Sequence, residues 1–227
     1  MLYQFLYALH DSASWLSWLN VLRYTSTRIL LATFTALVLS LILYPWFIRA
    51  LQKIQLGQVV RDDGPQSHFS KRGTPTMGGS LILFTLIIPT VLWSDMSNKF
   101  VLLATAVTAG YGVIGFIDDA LKVRKKHSGG MPGKVKFLAQ LVIGAAAVAA
   151  LYGGDMMPES FRFRLALPFL DFYDHDIVLP ALVYFGLATT VIVGTSNAVN
   201  LTDGLDGLAI MPVVIAAGTF LVLTYAA

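Results

Sequence analysis

Cysteine is absent from the 227 residues, which excludes disulfides and thiolate metal centres and leaves the redox compartment open. Charge is scarce as well: Asp, Glu, Lys and Arg make up 13% of the chain, against about 25% in a soluble domain. With 56% hydrophobic residues, this excludes an ordinary water-soluble globule and points to a bilayer. No internal repeat or low-complexity linker interrupts the sequence, so one transmembrane domain over 1–227 is the expected organisation. Residues 1–20 lack the positive n-region and small-residue cleavage site of a signal peptide. Trp15 and Trp18 there suit an interfacial amphipathic helix, because indole favours the headgroup region.

What is present is a series of stretches with no Asp, Glu, Lys or Arg: 29–48, 73–94, 100–117, 137–154, 177–202 and 207–227. A spanning helix needs about 20 mostly apolar residues, so the pattern predicts an all-α, polytopic integral membrane protein with six transmembrane helices. Pro45 and Pro89 fall inside apparent spans and are expected to kink them. The net charge of +3 matters less than its placement. Six alternating spans put Arg49, Lys53, Arg61, Lys71, Arg72, Lys122, Arg124, Lys125, Lys126, Lys134 and Lys136 on one face, eleven of the sixteen basic residues. The positive-inside rule turns that face to the cytoplasm and leaves the N-terminus outside. Nucleic acid is not an expected partner, since the basic residues lie where topology requires them.

Three polar clusters fall on that same face. The run Ser70-Lys71-Arg72-Gly73-Thr74-Pro75-Thr76-Met77-Gly78-Gly79 joins cations, glycines and hydroxyls at a helix start, where free N–H groups and the helix dipole favour phosphate. It lacks the spacing of a Walker loop, and its plainer reading is a basic anchor with a Thr cap. Asp118-Asp119-Ala120-Leu121-Lys122 places two carboxylates where an apolar run ends. Adjacent negative charges repel unless a cation or proton offsets them, and a carboxylate pair with water and phosphate suits Mg²⁺. The plainer reading is a helix end with a surface ion pair worth about 0–1 kcal/mol. Asn197, Asn200, Asp203 and Asp206 recur every third residue, which aligns them on one side of a helical segment. Amides and carboxylates together can hydrogen-bond a base, a ribose or a sugar, whereas the Asp-Gly pairs alone would read as turns. His68 and His127 have no second ligand at metal spacing and read as surface residues.

These clusters, with Gln58-Val-Val-Arg61-Asp62-Asp63-Gly64-Pro65, Gly115-Phe-Ile-Asp118-Asp119 and the segment 197–209, closely resemble the phospho-N-acetylmuramoyl-pentapeptide transferase family (MraY). That family belongs to the polyprenyl-phosphate N-acetylhexosamine-1-phosphate transferase superfamily. The likeness runs through nearly the whole chain. The resemblance implies a ten-helix homodimer in the bacterial inner membrane. It implies transfer of phospho-MurNAc-pentapeptide from UDP-MurNAc-pentapeptide to undecaprenyl phosphate, giving lipid I and UMP, with Mg²⁺ as cofactor. Asp118 and Asp119 are the expected catalytic pair, to activate the lipid phosphate, to hold the metal (Asp118 as its ligand) or to attack as a nucleophile, and the residues leave these roles open. The resemblance implies that Lys71, Thr76, Asn197, Asn200, Asp203 and Asp206 line the nucleotide and diphosphate region, with Lys136 nearby. The family pattern continues with a further metal-binding aspartate and a His-rich loop that this sequence lacks. The expectation is therefore a C-terminally truncated chain with little activity alone. Competing expectations are a related sugar-1-phosphate transferase, a transporter and an inactive membrane fragment.

Overall fold

The computed structural model describes residues 2–53, 77–125, 130–153, 156–167, 177–203 and 208–226. Their regular structure is helical apart from one pair of two-residue strands, the all-α polytopic class that the apolar runs predict. Two compact units divide the chain, Met1–Ile143 and Gly144–Ala227.

In the first unit, α1 (Leu2–Ala8) and a 3-10 helix (Ser14–Arg23) precede α2 (Thr25–Lys53), α3 (Gly78–Trp93) and α4 (Lys99–Lys125). Helix α5 (Gly133–Gly153) starts in this unit. The N-terminal segment is thus two short helices rather than one amphipathic helix, and side-chain spacing explains the second. A 3-10 helix has three residues per turn, so positions i and i+3 eclipse. Leu19 and Leu22 are buried on one such stripe, while Trp15 and Trp18 stand exposed on the next.

Helices α2, α4 and α5, with α6 (Ala181–Thr202) of the second unit, are each long and apolar enough to cross a membrane. Helix α3 and α7 (Ile210–Ala226) are shorter apolar helices of 16 and 17 residues. At 1.5 Å per residue α3 extends about 24 Å, less than a hydrocarbon core of about 30 Å. Both α2 and α3 continue through their prolines, Pro45 and Pro89. Threonine is tolerated within these apolar helices because its hydroxyl donates to the carbonyl four residues back, as at Thr85, Thr105, Thr108 and Thr190.

Contacts among α2, α3 and α4 carry the first unit. Trp93 Nε1 donates to Thr35 Oγ1 at 3.0 Å, tying α3 to α2. Helices α3 and α4 form a hairpin across the turn 94–98, where Asp95 accepts from the Ser97 hydroxyl and N–H. Those two bonds, the hydroxyl's first, hold the Asp95 carboxyl below its ordinary pKa. Asn98 Oδ1 accepts from the Phe100 N–H at 2.9 Å and so caps α4. Halfway along the hairpin Gly112 meets Leu83 so closely that a Cβ there would overlap the Leu83 methyls. Tyr111 Oη donates to the Gln140 carbonyl at 3.0 Å, linking α4 to α5.

In the second unit, β1 (Arg164–Leu165) pairs antiparallel with β2 (Ile177–Val178) between α5 and α6. Tyr152 stacks on Phe163 at 5.4 Å and meets Tyr184 edge-on at 5.2 Å. This aromatic cluster fixes the connection to the two helices it joins.

Candidate active site

The apolar run of α4 ends at Ile117, yet the helix continues through Asp118, Asp119, Lys122, Arg124 and Lys125. Cations in a last turn face the negative end of the helix dipole. An acidic residue three or four positions before a lysine gives the favourable orientation for a helical pair. Lys122 Nζ lies 2.9 Å from Asp118 Oδ2 and 2.9 Å from Asp119 Oδ1. One ammonium therefore bridges both carboxylates.

Two further groups converge on Asp118 from the connection to α5. The Met131 N–H donates to Asp118 Oδ1 at 2.7 Å, and Lys136 Nζ reaches Asp118 Oδ2 at 3.3 Å from the first turn of α5. Gly130 presses against the same carboxylate, leaving no room for a Cβ beside Oδ1. The neighbours differ as a result: the Asp118 side chain is 11% exposed and the Asp119 side chain 39%. Two lysines thus stand against two aspartates, which offsets the repulsion that an adjacent pair carries. The two carboxylates and two ammoniums form one compact polar cluster at the end of an apolar helix.

Asp119 also borders a groove of about 480 Å³ between α3 and α4. Ser80 and Asp119 supply its polar side chains, and Leu83, Phe84, Gly112 and Phe116 are among its apolar ones. At the start of α3 the cap position is Met77, in the left-handed region at φ 74°, with no side-chain cap bond. The Thr cap of the plainer reading falls on Thr74 or Thr76, outside the described residues. In the first turn of α3 the Ser80 N–H donates to the Met77 carbonyl at 3.0 Å.

The second unit holds the Asn/Asp cluster. Asn197 and Asn200 lie in the last turns of α6, and Asp203 is its C-cap. Asn197 is half-buried and donates from Nδ2 to the Val193 carbonyl at 2.9 Å; Asn200 and Asp203 are exposed. Lys71, Thr76 and Asp206, together with His68 and His127, lie outside the described residues.

The structure brings together Asp118, Asp119 and Lys136 in the first unit, with Lys122 bridging the pair. Sequence reasoning missed Gly130 and Met131. The Gly-Gly-Met-Pro-Gly run 129–133 marks a turn, but nothing local in it reveals that the turn closes on Asp118. Among the described residues no group of three or more His, Asp or Glu gathers as a metal cage. Mg²⁺ does not require one: it binds through one or two carboxylates and fills its shell with water and phosphate. The hard oxygens of Asp118 and Asp119 fit that donor chemistry.

Fold and site together define a polytopic α-helical membrane protein with a carboxylate–lysine cluster at a helix end. The chain belongs to glycosyl transferase family 4, whose model matches residues 100–227. A phospho-N-acetylmuramoyl-pentapeptide-transferase signature matches residues 71–83. The chain is 56% identical to a phospho-N-acetylmuramoyl-pentapeptide-transferase of Sorangium cellulosum, over 99% of this chain and 61% of that protein. It is 46% identical to one of Desulfatibacillum aliphaticivorans, over 100% of this chain and 61% of the relative. A third, of Syntrophus aciditrophicus, is 44% identical over 99% and 60%. The chain thus spans about three fifths of the length of these relatives.

Proposed function

We propose that the chain is part of a phospho-N-acetylmuramoyl-pentapeptide transferase of the bacterial inner membrane, with its site facing the cytoplasm. The substrates are UDP-MurNAc-pentapeptide and undecaprenyl phosphate, and the products are lipid I and UMP. The observation that carries this reading is the Asp118–Asp119 pair, held by Lys122 and Lys136 at the polar end of an apolar helix. Its identity of 56% to a transferase of that name supports the substrate assignment.

In the reaction, an oxygen of the lipid phosphate attacks the sugar-bearing phosphorus of the donor. The bond from that phosphorus to the UMP oxygen breaks, and UMP leaves with the electron pair. Such a transfer depends on positioning and charge neutralisation more than on covalent chemistry from the protein. The aspartate pair accepts the lipid phosphate's proton or holds the metal, and the lysines keep both carboxylates oriented. Asp118, with Asp119 beside it, would hold Mg²⁺, which when bound neutralises charge on the diphosphate. Lys71, Thr76, Asn197, Asn200, Asp203 and Asp206 are assigned to the nucleotide and diphosphate, and Lys136 to their vicinity. The transmembrane part acts as one domain, and the full-length protein as a homodimer.

UMP release tests this reading in a chain carried to the full length of its relatives. Asp118→Asn and Asp119→Asn are each expected to reduce turnover at least about 100-fold, and a chelator to abolish it until Mg²⁺ is restored. Near-normal turnover in both variants would reject the assignment.

A further inference from the structure

We propose that Gly130 is a positioning residue for Asp118, an inference that rests on the transferase reading of the aspartate pair. Two observations carry it. A Cβ built on Gly130 would overlap Asp118 Oδ1, and it would lie 2.8 Å from the Asp118 carbonyl oxygen and 2.9 Å from Lys122 Cε. The next residue, Met131, gives its N–H to Asp118 Oδ1 at 2.7 Å.

The backbone at Gly130 is not in the left-handed region, where side chains are strained. Glycine is therefore required there for space, not for conformation. All three atoms nearest a Cβ belong to Asp118 or Lys122. A methyl group at 130 would thus displace the carboxylate and the ammonium that bridges it. The bare Gly130 lets the turn close, the Met131 N–H occupies Oδ1, and Oδ2 is directed to Lys122 and Lys136. The rotamer of Asp118 is set from outside its own helix by the Met131 N–H and Lys136, together with Lys122 on α4.

Gly130→Ala and Met131→Pro test this in the full-length enzyme, with Asp118→Asn and the double variant Gly130→Ala/Asp118→Asn as references. The proline removes the N–H without adding a Cβ at 130. Steady-state UMP release gives kcat and the KM for the nucleotide-sugar, and thermal unfolding in detergent reports folding. A misplacement of about 1 Å at a reacting group costs about 100-fold in rate, so kcat is expected to fall by that order in both single variants with KM little changed. The double variant is expected to be no slower than Asp118→Asn, because both changes act on one group. Near-normal kcat in the single variants, or losses that multiply in the double variant, would overturn the proposal alone. If Gly130→Ala gives no cooperative unfolding, Met131→Pro decides on the same criteria. Full turnover in Asp118→Asn would overturn the proposal and the transferase reading of Asp118 together.

Discussion

At Asp118 two ammoniums and a backbone N–H surround a carboxylate that is 11% exposed, whereas Asp119 shares one lysine and keeps 39% of its side chain in contact with solvent. Removing a charge from a largely buried hydrogen-bonded pair leaves its partners uncompensated, and bonds to charged groups contribute about 1.5–3 kcal/mol each. An exposed pair contributes about 0–1 kcal/mol. Asp118→Asn is accordingly expected to lower stability by about 1–3 kcal/mol, and Asp119→Asn by less than about 1 kcal/mol. Thermal unfolding of each variant in the same detergent measures the difference; equal losses would show that the two surroundings are equivalent in solution. The doublet and its bridging Lys122 are legible in the sequence because helix spacing alone brings residues three and four apart together. Gly130 and Met131 are not, since their contact with Asp118 depends on the path of the chain between two helices.

Helix α4 shows which parts of an element a one-dimensional pattern reveals. Its apolar run is plain in the absence of charge between 100 and 117, and so is its polar extension. Which of its glycines touches a neighbour is hidden, because that depends on rotation and crossing of the helices. A Cβ at Gly112 would overlap the Leu83 side chain on α3, while one at Gly115 meets nothing within 4 Å. Overpacking costs about 1–3 kcal/mol, so Gly112→Ala is expected to destabilise the hairpin by that amount. Gly115→Ala is expected to be neutral or to gain up to about 1 kcal/mol from helix propensity. Unfolding midpoints of the two variants separate these outcomes, and equal shifts would contradict the observed packing. Asn98→Ala, which removes the α4 cap, is expected to cost about 1 kcal/mol by the same measurement. In the N-terminal segment the tryptophans suit an interface, whereas the division into two short helices is not legible, because the eclipsed Leu19 and Leu22 become a buried stripe only in a three-residue turn.

For the molecule as a whole, the decisive pattern is the asymmetry of charge about its apolar helices. Six alternating spans would put eleven of the sixteen basic residues on the face of the aspartate pair. Each Lys or Arg near an anionic leaflet is favoured by about 1 kcal/mol. An orientation with that face in the cytoplasm therefore collects several kcal/mol more than its inverse. The absence of cysteine makes the test direct, because any introduced thiol is alone in this chain. Ser97 and Lys125 are both exposed and flank opposite ends of the 27-residue α4. At 1.5 Å per residue that helix extends about 40 Å, enough to separate the two positions across a bilayer. With a membrane-impermeant maleimide on intact spheroplasts, Ser97→Cys is expected to react and Lys125→Cys to react only after permeabilisation. The reverse pattern would turn the carboxylate–lysine cluster outward, away from a nucleotide-activated donor made in the cytoplasm. The transferase reading would then fail at the level of topology, whatever the local geometry of the two aspartates.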